Sequence, residues 1–169
     1  MGLGKNMRDV TLYEVLVDGT DIFEAIHETS VPGLTLIPSH IDLSAAELEI
    51  GSQPGRNTKL RDALEGLKGT YDYILIDCPP ALGLLTVNAL AASNSVLVPL
   101  QCEFYALEGL SHLMKSVERV KKHFNAGLDM QGIVLTMYDR RNNLSLQVEE
   151  DVRAHFKDKV YQTIIPRNV

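Results

Sequence analysis

Apolar positions along the chain change period several times, and each change marks an expected element. Leu12, Val15 and Leu16 fall on one side of a short helix over 11–17, with Thr11 as N-cap and Glu14 completing a capping box. Ile22, Phe23 and Ile26 predict a second short helix over 21–27, stopped by Val31-Pro32-Gly33. A strand over 34–37 follows, then a helix capped by Ser39 or Asp42 and bearing Leu43, Ala46, Leu48 and Ile50. Gly51-Ser52-Gln53-Pro54-Gly55 breaks the pattern as a flexible loop. Leu60, Ala63, Leu64 and Leu67 are in helical register over 56–67, and Lys68-Gly69 closes that helix.

The run Tyr73-Ile74-Leu75-Ile76 is unbroken, apolar and partly β-branched, the pattern of a strand covered on both faces, so it predicts a strand inside a parallel sheet. It stops at Asp77, and Cys78-Pro79-Pro80 cannot continue a ladder. A lone carboxylate at the carboxyl end of such a strand suits a Mg²⁺-bound nucleotide phosphate, directly or through water; the alternative is that Asp77 only caps the next helix. Residues 84–92 form a helix with few charges on any face, which must be buried nearly all round. Residues 95–100 are the next strand, with the ladder expected to stop at Pro99. That leaves Gln101, Cys102 and Glu103 on a loop at the carboxyl rim, where a carboxylate at Glu103 can simply begin the following helix. The helix over 105–124 carries an apolar stripe from Leu107 to Phe124 and a solvated basic face of Lys115, Arg119 and Lys122.

A buried strand over 130–137, an amphipathic helix over 144–156 and a last strand over 159–165 complete the pattern. Strand ends near Asp77, Gln101, Tyr138 and Pro166 then converge on one rim, the layout of an α/β fold with a doubly wound, mainly parallel sheet flanked by helices. Arg140 and Arg141, followed by Asn142 and Asn143, lie on the loop after the 130–137 strand. Two adjacent arginines there can grip phosphates without reading bases, or form an ordinary exposed loop.

Composition narrows the function classes. With 45% hydrophobic residues, 169 residues bury one sizeable core, so a single domain over 1–169 is expected. No run of about 18 apolar residues could cross a bilayer and no signal segment opens the chain, which points to a cytoplasmic protein. Cys78 and Cys102 have neither CxxC nor zinc spacing and read as free thiols, and the five histidines lack paired metal spacing. A net charge of −6 confines any DNA binding to a local patch.

Asp77-Cys78-Pro79-Pro80-Ala81-Leu82-Gly83-Leu84-Leu85-Thr86-Val87-Asn88-Ala89-Leu90 and the stretch from Val98-Pro99-Leu100-Gln101 to Glu108-Gly109-Leu110 closely resemble the ParA/Soj family of partitioning ATPases. Leu135-Thr136-Met137-Tyr138-Asp139 and Ile165-Pro166-Arg167-Asn168-Val169 extend the likeness, which covers essentially the whole chain and is looser over the first seventy residues. The resemblance implies a P-loop NTPase-like fold using ATP and Mg²⁺. It implies ATP-dependent homodimerisation, non-specific DNA binding at the nucleoid, and hydrolysis stimulated by a ParB-like partner, with no membrane attachment.

Residue by residue, the resemblance gives Asp77 the task of orienting Mg²⁺ through a water-mediated contact. It places Thr136, Met137, Pro166 and Arg167 around the base, Glu103 on a rim shared by nucleotide and partner subunit, and Arg141 with Arg140 on DNA, Arg141 directed away from the base pocket. The family's Gly-rich phosphate loop with its two lysines is absent from these residues, and the opening Met1-Gly2-Leu3-Gly4 resembles the end of the block that follows that loop. The chain is therefore expected to be the middle and later part of a longer ATPase domain, inactive alone. A MinD-like membrane-associated relative and a non-catalytic interaction or DNA-binding module are the alternatives.

Overall fold

The computed structural model describes residues 10–40, 43–79 and 81–168, which fall into two compact units divided between Ala92 and Ser93. Asp42, Pro80, Val169 and the opening Met1-Gly2-Leu3-Gly4 lie outside the described residues.

In the first unit the capping box forms as expected. The Thr11 N–H donates to Glu14 Oε2 at 2.7 Å, the Tyr13 N–H donates to Thr11 Oγ1 at 3.2 Å, and helix α1 runs Leu12–Val17. Asp21 caps only a 3₁₀ turn, Ile22–Ala25, where a helix to residue 27 was expected. The chain instead enters β1, His27–Glu28, which pairs antiparallel with β2, Thr35–Leu36. Helix α2, Leu43–Ile50, buries Ala46 and Ile50, but Leu48 is 86% exposed, because its position on the helix turns it away from the face those two share.

Helix α3, Lys59–Leu64, starts later than the expected residue 56 and ends in a 3₁₀ turn, Glu65–Leu67. The preceding residues are held in a turn, with the Thr58 N–H bonded to the Gly55 carbonyl. Helix α4, Leu84–Ala92, is buried at Thr86, Asn88, Ala89, Leu90 and Ala91, as its lack of charge required. Asn88 is wholly buried and satisfied: its Nδ2 donates to the Arg56 and Leu84 carbonyls, and its Oδ1 accepts from the Leu60 N–H. That amide joins α4 to the start of α3.

Residues 73–76 depart most from expectation. Among the described residues they join no sheet, and Tyr73, Ile74 and Leu75 are 86%, 45% and 93% exposed. An apolar run specifies a wish for cover but not the neighbour that supplies it, and here only Ile76 is packed, against Leu16, Leu60 and Ala89. The four strand ends expected on one rim are therefore three.

Those three belong to the second unit, a parallel sheet in the order β3-β4-β5. β3 spans Ser95–Gln101, β4 Asp129–Tyr138 and β5 Val160–Pro166. The ladder runs past Pro99 to Gln101, paired with Thr136. An edge strand tolerates proline because only one of its sides needs donors, and β3 is paired on one side only among the described residues. Helices α5, Ala106–His123, and α6, Asn143–Phe156, cover the sheet, with Leu110, Val117, Val120, Val148 and Val152 buried. Each fully buried side chain of this kind stabilises by roughly 1.5–3 kcal/mol. Lys115, Arg119 and Lys122 face solvent.

The edge of β3 that is unpaired among the described residues and the exposed apolar run at 73–75 are the kinds of surface that favour association. The isolated chain is expected to self-associate in a concentration-dependent way in sedimentation velocity, and Leu75→Lys to shift it towards monomer. A monodisperse wild-type monomer at high concentration would contradict this.

Candidate functional site

The carboxyl ends of β3, β4 and β5 are stitched together by backbone bonds. The Cys102 N–H donates to the Thr136 carbonyl at 3.4 Å and the Arg167 N–H to the Tyr138 carbonyl at 3.0 Å. Met137 adopts the left-handed region at φ 53, an uncommon state for a residue with a Cβ. The β4–β5 register shifts there, so Tyr138 turns inward and is 5% exposed while Met137 is 43% exposed.

The Tyr138 hydroxyl bonds Glu149, which also takes a 2.9 Å ion pair from Arg153 one helical turn on. The Tyr138 bond, opposed by burial and reinforced by Arg153, holds the Glu149 carboxyl below its ordinary value, while the same hydrogen bond raises the Tyr138 hydroxyl. Burial, with Glu149 nearby, pushes the Cys102 thiol up.

Asp139 clamps Arg141. Its Oδ1 accepts from the Arg141 N–H at 3.0 Å and from Nε at 3.1 Å, and its Oδ2 accepts from Nη2 at 3.0 Å. These bonds hold the Asp139 carboxyl down at about 2. Asn142 then caps α6 by accepting from the Leu144 N–H at 3.0 Å.

Between this loop and the end of β5 lies a cavity of about 430 Å³. Ile164 and Pro166 supply apolar wall, Tyr138 and Asp139 line it, and Arg140, Arg141 and Arg167 surround it. Arg141, expected to reach away from the base pocket, lines the same cavity as Pro166 and Arg167. Sequence reasoning missed the Tyr138–Glu149–Arg153 network and the Asp139 clamp. The four-residue spacing of Glu149 and Arg153 was a readable signal for the first. Of the other expected site residues, Thr136 is half-buried on β4, and Glu103 is exposed in the turn before α5 beside Phe104 and Tyr105, which are 76% and 71% exposed.

Asp77 belongs to the first unit and is exposed. Among the described residues no group of three His, Cys, Asp or Glu side chains gathers to hold a metal. Cys78 beside it is exposed and unpaired in any disulfide; enclosure of its sulfur, and then the Asp77 carboxylate, push the thiol above its usual range. Among the described residues no helix is long and apolar enough to cross a membrane.

A parallel sheet covered by helices, with a cavity at its strand carboxyl ends, defines an α/β protein of the class that takes ligands at that edge. The family model described as "AAA domain" matches residues 1–130. The chain is 55% identical over its whole length to the chromosome partitioning protein ParA of Caulobacter vibrioides, spanning 64% of that protein. It is 52% identical over 99% of its length to the sporulation initiation inhibitor protein Soj of Bacillus subtilis, spanning 67% of it. Among solved structures, cobyrinic acid a,c-diamide synthase of Mycobacterium smegmatis with bound ATP analog and magnesium matches with a TM-score of 0.89 and 36% identity, over 99% of this chain and 68% of that one. A plasmid partition protein from Borrelia burgdorferi matches with a TM-score of 0.82 and 27% identity, over 98% of this chain and 67% of that one. The fold is that of the P-loop NTPases, and the chain belongs to the ParA/Soj family of partitioning ATPases.

The Asp139 clamp has a pH signature. Because the carboxyl is depressed in the folded state, from 3.8 to about 2, its contribution is complete above the ordinary value and is lost as pH falls through the folded one. NMR titration should place the Asp139 midpoint near 2, and Arg141→Ala, which removes the side-chain bonds and keeps the backbone one, should raise it towards the ordinary carboxylate range. A wild-type midpoint already in that range would show that the clamp does not form in solution.

Proposed function

We propose that the chain is the middle and later part of a ParA-like ATPase, residues 1–169 forming one partial ATPase domain. ATP closes a homodimer in this reading, the dimer binds DNA without sequence preference, and a ParB-like partner stimulates hydrolysis. The protein works in the cytoplasm, associated with the nucleoid. The observation that carries the reading is the cavity where two loops meet, which joins apolar wall to three arginines.

Pro166 and Arg167, which line the cavity, and Thr136 and Met137, which precede its lining residues on β4, border the base, and apolar contact from Ile164 and Pro166 suits a purine face. Asp77, an exposed carboxylate at the end of the 73–76 run, suits an ion that keeps most of its waters, as Mg²⁺ does. When bound, Mg²⁺-ATP supplies the phosphoanhydride whose cleavage resets the dimer. Glu103, flanked by the exposed Phe104 and Tyr105, faces the partner subunit. Arg140 and Arg141 contact backbone phosphates, the Asp139 clamp fixing the Arg141 guanidinium in advance.

Two measurements test this. The chain by itself should bind ATP only at about millimolar concentration or weaker and should not hydrolyse it measurably, because a single carboxylate without a phosphate loop holds Mg²⁺-nucleotide poorly. Calorimetry giving micromolar affinity, or turnover that Asp77→Ala abolishes, would sink that part. In the full-length protein with ATP, Arg141→Ala should weaken binding to unrelated duplexes equally and flatten the log-log salt dependence by about one unit. Unchanged affinity, or a loss confined to one sequence, would remove Arg141 from the DNA surface.

A further inference from the structure

Helix α4 begins without the usual means of satisfying its first N–H groups. Gly83 precedes it and has no side chain to cap with, and its first turn has no acidic residue. The missing carboxylate comes from another helix: Glu47 on α2 accepts from the Leu85 N–H through Oε1 at 2.9 Å. Gly83 makes the approach possible, since a methyl group there would fall inside van der Waals contact of both Glu47 oxygens. Glu47 sits on a helix anchored by Ala46 and Ile50, which show no exposure.

The same region fixes the residues leading into α4. Thr86 Oγ1 donates to the Ala81 carbonyl at 2.6 Å, and the Val87 N–H donates to the Gly83 carbonyl at 3.1 Å. Those bonds tie Ala81 and Gly83 to α4 itself, whereas the Glu47 bond ties the start of α4 to α2. Upstream, Ile76 packs on the Leu16, Leu60 and Ala89 cluster, against which Leu43 of α2 and Leu85 of α4 also pack. Asp77 therefore lies between one apolar anchor and one carboxylate cap.

We propose that Glu47 is a positioning residue: its carboxylate, seated on the α4 N-terminus in the space left by Gly83, fixes the lead-in to α4 and with it the segment carrying Asp77. Its importance for nucleotide rests on the ATPase reading; the contact and its mechanical effect do not.

Cys78 follows Asp77 directly and is exposed, whereas Cys102 is buried in the second unit, so the two thiols report the Asp77 segment and the second unit separately. Maleimide labelling of this chain, followed by peptide mass spectrometry, should show Cys78 reactivity altered by about threefold or more in Glu47→Ala and in Gly83→Ala, with Cys102 as slow as in wild type, the pattern of a local opening. Glu47→Gln keeps the acceptor oxygen and should label as wild type. The double variant Glu47→Ala/Gly83→Ala should match the single ones, because each change removes the same contact. Cys78 labelling unchanged in Glu47→Ala, equal acceleration of both cysteines, additive effects in the double variant, or failure of Glu47→Gln to rescue would each overturn the proposal. Labelling needs no nucleotide, so a failed ATPase reading would appear instead as a full-length wild-type protein that does not turn over ATP while the labelling pattern stands.

Discussion

The second unit depends on β4 being paired along both edges. Its Ile133 and Leu135 show no exposure, and β3 and β5 flank it in parallel with α5 and α6 packed over the sheet. A parallel strand satisfied on both sides can bury its side chains without leaving backbone donors orphaned, and β4 meets that condition. Residues 73–76 have the same apolar composition and do not meet it among the described residues, and their side chains stand in solvent. Composition supplies the drive to be covered, and pairing decides whether the drive is met.

This difference explains what could be read from the residues. Local signals transferred well: the Thr11–Glu14 capping box, the uncharged α4, the stripe of α5 and the amphipathic pattern of α6 all depend on neighbours within a turn or two. Long-range partners did not. The strand expected at 73–76 needed a neighbour that its own pattern does not name, and Pro99 was expected to end a ladder because nothing local says that β3 is paired on one side only among the described residues. The Glu47 cap on α4 spans 38 positions, and the buried Asn88 amide reaches 28 and 32 positions back to Leu60 and Arg56.

The site was legible as a set of loops and not as a geometry. Thr136, Met137, Arg140, Arg141, Pro166 and Arg167 were singled out, but their assignment to separate base and DNA surfaces did not anticipate one cavity bordered by Arg140, Arg141 and Arg167. The left-handed Met137 is what turns Tyr138 inward onto Glu149, and the Asp139 clamp is what sets the Arg141 direction. Both are conformations of single residues that no periodicity encodes. In the proposed function they put the base and the DNA-binding arginines on one short loop, so that nucleotide and DNA act on the same few residues.

Photo-crosslinking tests the central claim most directly. Full-length protein irradiated with 8-azido-ATP and Mg²⁺, then digested and sequenced by mass spectrometry, should carry the label on peptides containing residues 136–141 or 164–167, and unmodified ATP should compete it away. Competable label confined to other peptides would contradict the account.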